Sequence, residues 1–436
     1  MTPAGAQMTA AGSPSAAALL SALPATVDAA VVRDGPRFVV AAAPDALRVA
    51  SGADALAALD RLPPGWWAGF LSYELGGAVE QVSPRRGCDG DSGERGAPTL
   101  PHLVLARFPA RIVLDPASGG YELHGHGDAR GLLARAVDAA RDGARAPASP
   151  TLARWNTSLD RAAFEQRVAT ILEHIGAGDC YQVNLTRRLT CDQAADPVGL
   201  FAALERCNPS PHGALLRIGG GNGVPAMAVV SASPERFLSW RGRDVETRPI
   251  KGTATSPTTL AASPKDRAEN VMIVDLARND LGRVCDPGSV AVPALCELEA
   301  HPGLHHLVST VRGRRRAGTG VGALVRATFP PASVTGAPKP RVMQIIEDLE
   351  PAPRGVYCGA VGWIDTERDA GDLNVAIRTF TVADESTHLG VGAGIVADSE
   401  PAAEWAETEL KAARLLAAAG TGRADVRDAA LAGAHR

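Results

Sequence analysis

Residues 160–190, DRAAFEQRVATILEHIGAGDCYQVNLTRRLT, contain the clearest succession of helix and strand in this chain. Behind a candidate N-cap at Asp160, apolar side chains recur at the i, i+4, i+7 and i+8 spacing of a helix: Phe164, Val168, Ile171, Leu172 and Ile175. After two glycines, apolar residues alternate with Gln182, Asn184 and Thr186. This alternation predicts a strand whose polar side chains share one face, so that Gln182 can point into a site.

The same two patterns recur on both sides of this stretch. C-terminal to it, they predict strands at 213–218, 225–231, 236–240, 355–364, 373–382 and 388–396, and helices near 197–206, 264–281, 339–350 and 401–419. N-terminal to it, short apolar runs between about 20 and 125 predict strands, with a loop at 85–99 and a linker at 141–150. Because helices and strands mix without strict alternation, we expect an α+β fold with large, mainly antiparallel sheets.

The bulk composition excludes several classes of protein. The chain has 436 residues, 45% of them hydrophobic and 21% charged, which is enough to bury a large core. A formal charge of −4 gives no basic excess for binding nucleic acid, and no run of 18 apolar residues would span a membrane. Seven scattered cysteines and an N-terminus without a basic signal-peptide region predict a reduced, cytoplasmic protein.

Lysine is nearly absent from this chain. Of the 44 basic residues only four are Lys, at positions 251, 265, 339 and 411. An abundance of Ala, Gly and Arg indicates a coding bias that would replace any dispensable Lys by Arg. A remaining Lys is therefore a candidate for chemistry that needs an amine able to lose its proton, although survival by chance on the surface is about as probable for any one of them.

Two predicted helices carry carboxylates. Glu269 lies in the helix near 264–281, while Glu404, Glu407 and Lys411 share a face of the helix near 401–419. On that second helix we expect a separate apolar stripe to pack against the protein: Ala406, Leu410, Ala413 and Ala417. Two such helices and a dianionic ligand would suit Mg²⁺, although helical Glu residues more often form solvated faces.

Closely spaced glycines mark two further segments. GVGAGIV (390–396) lets backbone N–H groups approach an anion closely, or else lets a strand cross a crowded sheet. TGAPK (335–339) is typical of an anion-contacting turn before a helix, although most such turns bind nothing.

A family resemblance rests on several long blocks that occur in a fixed order: RPIKGT (248–253), ENVMIVDLARNDLGRV (269–284), HHLVSTVRG (305–313), FPPASVTGAPKPRVMQIIEDLE (329–350), RGVYCGAVGWID (354–365), LNVAIRT (373–379) and GVGAGIVADSEPAAEWAETELKA (390–412). They resemble the chorismate-utilising enzymes, which include anthranilate, aminodeoxychorismate, isochorismate and salicylate synthases. The resemblance implies a four-layer αββα sandwich with the active site between its layers. It also implies a catalytic domain at 151–419, preceded by an N-terminal portion at 17–150. The small and polar composition of residues 1–16 and 420–436 predicts disordered ends.

The resemblance implies roles for individual residues. Glu269, Glu404 and Glu407 resemble the groups around Mg²⁺, with Glu404 acting through water. The residues that resemble the substrate-binding set are Gln182, Thr335, Gly336, Tyr357, Arg378, Gly392, Gly394 and Lys411. His306 resembles an active-site histidine, and Glu235 resembles the acid that assists departure of the ring hydroxyl.

Two positions separate the branches of the family. Gln182 occupies the place where water-using members have a Lys, which indicates ammonia as the nucleophile. Lys251 resembles aminodeoxychorismate synthase, where an amine adds to ring C2 before ammonia replaces the C4 hydroxyl. Such an amine must be neutral, so we expect burial and nearby cations such as Arg248 and Mg²⁺ to lower its pKa.

Two alternatives stay open at this point. One is an anthranilate synthase large subunit, which would fit everything except Lys251, and the other is an inactive scaffold for a glutaminase. Since nothing in the 436 residues resembles a glutaminase, the resemblance implies a separate glutaminase subunit that supplies ammonia.

Overall fold

We describe a computed structural model that covers residues 7–8, 13–82, 100–143, 147–221, 223–301, 304–421 and 426–428. Most of the two ends predicted to be disordered and of the loop at 85–99 lies outside the described residues.

The strands are β1 (Gln7–Met8), β2 (Ala29–Asp34), β3 (Arg37–Ala42), β4 (Ala46–Ala50), β5 (Trp66–Leu71), β6 (Leu103–Phe108), β7 (Ala110–Asp115), β8 (Gly120–Gly125), β9 (Trp155–Thr157), β10 (Gln182–Cys191), β11 (His212–Ile218), β12 (Met227–Ser233), β13 (Arg236–Arg241), β14 (Asp244–Arg248), β15 (Ile250–Ala254), β16 (Ala291–His301), β17 (Leu304–Arg314), β18 (Gly336–Ala337), β19 (Ala360–Asp365), β20 (Ala370–Val375), β21 (Thr379–Ala383), β22 (Ser386–Ile395) and β23 (Val426–Asp428). The helices are α1 (Ala16–Ala22), α2 (Ala53–Asp60), α3 (Leu75–Glu80), α4 (Gly127–Arg141), α5 (Arg161–Gly176), α6 (Pro197–Cys207), α7 (Pro257–Ala261), α8 (Pro264–Gly282), α9 (Val321–Thr328), α10 (Lys339–Leu349) and α11 (Pro401–Ala418).

The strands form two sheets. The first sheet has the order β1-β8-β7-β3-β2-β11-β12-β21-β22-β10-β9-β23, with β18 also paired to β10. The second has the order β15-β17-β14-β13-β20-β19-β5-β6-β4, with β16 also paired to β17. Within the described residues β9 and β23 run parallel and the other named strand pairs run antiparallel. The predicted α+β fold with two mainly antiparallel sheets is confirmed.

Three hydrophobic clusters define the layers. One joins the outer face of the first sheet to helices α1, α4, α6 and α11. A second lies between the sheets, where Val32 and Val39 of the first sheet meet Phe70 and Val361 of the second. The third joins α2 and α9 to the second sheet, and it also joins α5 and α10 to β10 of the first sheet. This arrangement is the αββα sandwich that the resemblance implied.

The junction between α5 and β10 agrees with the prediction from residues 160–190. The Asp160 carboxylate accepts a 2.8 Å hydrogen bond from the Ala163 N–H and caps α5, which ends at Gly176. Strand β10 then begins at Gln182 and pairs with β22 on one side. The first residue of β10 is therefore placed beside the glycine-rich strand.

The apolar stripe predicted for α11 is wrong. Its members face solvent, and Leu410 is 73% exposed. The buried face instead carries Glu404, Thr408, Ala412, Leu415 and Leu416. Because Ala recurs throughout this helix, its composition allows more than one apolar stripe. Contacts with β10 determine which face of α11 is buried. The buried Arg187 of that strand donates a 3.1 Å hydrogen bond to the Thr408 hydroxyl.

Two predicted strands are shorter than expected. The strand at 355–364 begins only at Ala360, because residues 351–359 form bends and turns. The stretch 373–382 is divided between β20 and β21, and Arg378 at the break has a φ of +51°.

Both parts of the chain contribute to both sheets. Strand β2 pairs with β11, and β5 pairs with β19. None of the helices in the described part of the chain is long and apolar enough to span a bilayer.

Candidate active site

Gln182 forms one wall of a cleft between the two sheets. Its side chain is fully buried, yet neither the amide nitrogen nor the amide oxygen has a hydrogen-bond partner among the described residues. An unpaired buried amide costs about 1–3 kcal/mol, which a ligand can recover. The prediction that Gln182 points into a site agrees with this geometry.

Lys251 reaches the same space from the opposite sheet. If Gly394 carried a Cβ, that atom would lie 3.4 Å from both the Gln182 Nε2 and the Lys251 Nζ. The amide and the amine therefore flank the backbone of β22. At Gly392 a Cβ would lie 2.7 Å from the Leu185 carbonyl oxygen, so this glycine is required by the close approach of β10.

Charged neighbours set the protonation of Lys251. Its side chain is 13% exposed, and its Nζ lies 3.9 Å from the nearer carboxylate oxygen of Glu269. Burial lowers the pKa of Lys251, and the Lys411 ammonium acts in the same direction, while Glu269 opposes both. Arg248, expected to help, instead pairs with Glu299. Lys251 is thus closer to neutrality than an ordinary lysine.

Glu235 is a buried carboxyl group on the second sheet, next to β13. It is 4% exposed, and burial raises its pKa to about 7 despite the nearby Ser333 hydroxyl and the Lys251 charge. Near neutral pH a substantial fraction of this side chain carries a proton. Glu235 is therefore able to donate a proton near neutral pH, as an acid that protonates a leaving hydroxyl must.

Lys411 joins α11 to the glycine-rich strand. Its Nζ donates to a carboxylate oxygen of Glu407 at 2.6 Å and to the Gly392 carbonyl oxygen at 3.0 Å. Burial raises the pKa of Glu407, but the ammonium groups of Lys411, Lys251 and Lys265 outweigh burial and hold it below its ordinary value. Glu407 is therefore ionised at neutral pH.

One cationic side chain influences all three predicted metal ligands. Lys265 acts electrostatically on Glu269, Glu404 and Glu407. The Ser399 hydroxyl donates to one oxygen of Glu404 at 2.6 Å, while the buried second oxygen has no partner among the described residues. Within the described residues no three His, Cys, Asp or Glu side chains form a ready metal cluster. Mg²⁺ needs only one or two carboxylates besides water and substrate oxygens, so the donor set fits it.

His306, which pairs with Thr253 across β15 and β17, lies near Arg378. Burial, with the charge of Arg378, lowers the pKa of His306 to about 3, so its imidazole is neutral. Its Nδ1 is hydrogen-bonded to the Thr253 hydroxyl at 2.8 Å. The Arg378 guanidinium has no hydrogen bond or ion pair within the described part of the chain, and burial lowers its pKa. It is a cation without an internal partner, which suits an anionic ligand.

Thr335 and Gly336 hold the start of β10. The Thr335 hydroxyl donates to the Pro331 carbonyl oxygen at 3.0 Å, and its own carbonyl oxygen accepts from the Asn184 N–H at 2.7 Å. A Cβ on Gly336 would lie 1.9 Å from the Gln182 carbonyl oxygen. In this structure both residues support Gln182 through the backbone.

Tyr357 lies further along the same sheet face. Its ring covers Gly390, where a Cβ would lie 2.1 Å from a ring carbon, and it lines a small cavity with Arg188 and His388. Burial raises the pKa of its phenol well above the ordinary value, so the hydroxyl keeps its proton. The ring contacts Gly390 rather than the site glycines at 392 and 394.

Sequence reasoning missed two supporting residues, Thr253 and Ser399, which hold His306 and Glu404 respectively. Both lie inside the quoted motifs, RPIKGT and GVGAGIVADSEPAAEWAETELKA. Neither spacing nor composition indicates which distant side chain such a hydroxyl will contact.

Comparison with known proteins identifies the family of this chain. Residues 21–417 match the family model described as chorismate binding enzyme. Aminodeoxychorismate synthase component 1 of Klebsiella aerogenes is 38% identical over 361 residues, covering 80% of this chain and 76% of the relative. Anthranilate synthase component 1 of Streptomyces coelicolor is 39% identical over 395 residues, covering 84% and 75%.

A solved structure has the same fold. Anthranilate synthase component I from Streptococcus pneumoniae superposes with a TM-score of 0.72 at 27% identity, covering 87% of this chain and 92% of that one. With the family model matched over nearly the whole described chain, this chain belongs to the family of chorismate-binding enzymes.

Proposed function

We propose that this chain aminates chorismate with ammonia to give 4-amino-4-deoxychorismate, on the route to p-aminobenzoate and folate. The observation that carries the proposal is the buried amine of Lys251, which faces the same space as the unpartnered Gln182 amide. An amine in this position can add to carbon, whereas Gln182 cannot serve as a base that activates water. The relative from Klebsiella aerogenes supports the assignment.

The anionic groups of chorismate would be held by the cationic side of the cleft. Arg378, the neutral His306 and the backbone of Gly392–Ile395 would bind the enolpyruvyl carboxylate. Lys411, with the segment that carries Thr335, would lie near the ring carboxylate. Since Arg378 has no partner inside the described protein, it is free to pair with a carboxylate.

Covalent catalysis would proceed in two steps. In the first, the neutral Lys251 Nζ adds to ring C2, the C4–O bond breaks, and Glu235 gives its proton to the leaving hydroxyl, which departs as water. In the second, ammonia adds to C4, the bond between C2 and Lys251 breaks, and the new amine returns a proton to the Glu235 carboxylate. Chorismate and ammonia are consumed, and aminodeoxychorismate and water are formed.

Glu269 and Glu407 would hold Mg²⁺ directly, with Glu404 acting through a water molecule. The ion would neutralise carboxylate charge on the substrate and orient it against Lys251. This role accounts for three carboxylates placed around a cleft that must also accept an anion.

A separate glutaminase subunit would supply the ammonia. The names of the relatives from Klebsiella aerogenes and Streptomyces coelicolor both include "component 1", which supports a partner for this chain as well.

The second candidate is anthranilate synthesis. The Streptomyces coelicolor relative is as similar as the Klebsiella aerogenes relative, so identity alone does not separate the two activities. In anthranilate formation ammonia adds at C2 and pyruvate is lost, and a lysine beside C2 has no part in that reaction. Lys251 favours addition at C4.

Product analysis tests the choice. The purified protein would be incubated with chorismate, Mg²⁺ and an ammonium salt, and the products separated and identified by mass. We expect a product that keeps the enolpyruvyl group and carries nitrogen at C4. Anthranilate and pyruvate as the main products would show that the chain catalyses anthranilate synthesis instead. Unchanged chorismate would indicate an inactive scaffold.

A further inference from the structure

A small cavity lies beside Glu235. One face of α8 forms a wall of it through Ile273, Ala277 and Leu281, and Phe237 lies on the side of β13. Lys251 and Gln182 do not line this cavity, so it is distinct from the space that the amine and the amide share.

The two ends of this cavity are polar. Near one end is the Glu235 carboxyl group together with the buried Ser333 hydroxyl beside it. At the other end is Asp280, whose carboxylate accepts from Lys339 at 2.9 Å. The α8 wall from Ile273 to Asp280 is about 10 Å long. The cavity therefore runs from the reacting acid along the helix, between apolar walls.

We propose that this cavity holds the ammonia molecule before it adds to C4. The inference rests on the proposed amination. If the configuration at C4 is retained, nitrogen takes the position on the ring that the hydroxyl leaves. The hydroxyl leaves on the side of the acid that protonates it. Ammonia must therefore arrive from the side of Glu235, which lines the cavity.

The lining suits neutral ammonia. Apolar walls disfavour the ammonium ion, because removing a charge from water is costly, while ammonia needs only a few hydrogen-bonding groups. The Ser333 hydroxyl and the carboxylate left on Glu235 after the first step would accept hydrogen bonds from it. As the C4–N bond forms and the C2–N bond to Lys251 breaks, the new ammonium group would give one proton to Glu235. The acid is then ready for the next cycle.

The closing experiment narrows the cavity and measures two Michaelis constants. Ala277→Leu adds bulk to a helical position in the wall, and we expect the KM for NH₃, at fixed pH and with added ammonium salt, to rise by about tenfold or more. The KM for chorismate should change by less than about twofold, since the chorismate cleft is separate. The matched control is Ala139→Leu, an exposed alanine of helix α4 on the outer face of the first sheet, which should leave both constants unchanged.

Enlarging the cavity provides the opposite test. Ile273→Val removes one methyl group from the lining, and we expect the rate with methylamine relative to ammonia to rise by about fivefold or more, with an N-methyl product identified by mass. If Ala277→Leu leaves the KM for NH₃ unaltered, or raises both KM values equally, the cavity assignment is wrong. An unaltered amine preference in Ile273→Val would also overturn it. Failure of the unmutated enzyme to form the C4-amine would instead refute the proposed function.

Discussion

The Lys251 Nζ lies 3.9 Å from the nearest carboxylate oxygen of Glu269, which is beyond the length of a normal hydrogen bond. The Glu269 carboxylate thus stabilises the ammonium form of Lys251 by charge attraction but without a hydrogen bond. Burial outweighs this attraction and lowers the pKa of Lys251.

Replacing Lys251 tests its role as a nucleophile. Lys251→Arg keeps a positive charge but cannot lose its proton, so we expect aminodeoxychorismate formation to fall to background. Lys251→Ala should weaken it and let ammonia reach C2. With chorismate but no ammonia, intact-protein mass should reveal an adduct on the unmutated enzyme that both variants lack. Full activity in Lys251→Arg, with anthranilate as the native product, would contradict the two-step reaction.

Glu235→Gln removes the proton donor with little change in volume. We expect kcat to fall by about 10²–10⁴-fold. In the unmutated enzyme the acid form is lost as pH rises through about 7, so a limb of decreasing activity should appear there and be absent from the residual activity of the variant. A profile that is the same for both proteins would remove Glu235 from the mechanism.

The same residue predicts a pH dependence of stability. A carboxyl whose pKa is raised on folding binds its proton more tightly in the native state, so its contribution is fully present below pH 4.5 and is lost as pH rises through about 7. Relative to Glu235→Gln, the free energy of unfolding of the native sequence should fall by about 3 kcal/mol across that interval. Chemical denaturation at several pH values measures the difference.

Glu407→Gln tests the metal site. The side chain is about half exposed and its pair with Lys411 contributes little, so the fold should survive with a loss below about 1 kcal/mol. We expect Mg²⁺ affinity to fall by at least about tenfold, measured by calorimetry in the presence of chorismate. Turnover of the variant at a normal rate without added metal would refute the assignment.

Gln182→Lys tests the choice of nucleophile. With ammonia withheld, the native protein should form little isochorismate, because an amide cannot remove a proton from water. A lysine that reaches the ring should permit more of it. Substantial isochorismate from the native protein would show that Gln182 does not exclude water.

Gly394→Ala tests the space between the amide and the amine. The added methyl group would lie 3.4 Å from both the Gln182 Nε2 and the Lys251 Nζ, in contact but without overlap, so the fold should persist. We expect the KM for chorismate to rise by about tenfold. Gly176→Ala is the matched control, since a Cβ there meets nothing within 4 Å.

The sequence predicts an element correctly where its apolar residues define a single buried face. The helix before β10 has large apolar side chains at a single spacing and a capping Asp160, and it forms as expected. Helix α11 offers alanines on several faces, and its orientation follows from the buried Arg187 of β10, which bonds to Thr408 more than 200 positions later. No local pattern specifies such a long-range contact.

Sequence motifs identify the residues of the candidate site, but they do not predict how the charges of those residues interact. Family blocks point to Glu235, Lys251 and Glu407, yet the lowered pKa of Lys251 depends on burial and on Lys411, which is 160 positions away. Arg248 is closer in sequence and pairs elsewhere. The interaction between the charges of Lys251 and Lys411 follows from the packing of α8, α11 and the two sheets.

The pairing of β5 with β19 brings Trp66 beside Asp365, close to 300 positions later in the chain. During synthesis, β5 emerges long before β19, and it can pair within its sheet only after β19 has been made. Until then a hydrophobic face of β5 stays uncovered. Contacts so distant in sequence form slowly, because a large loop has to be closed first. The cleft that binds the substrate can thus appear only at the end of assembly, so partly made chains should lack activity altogether rather than retain a fraction of it.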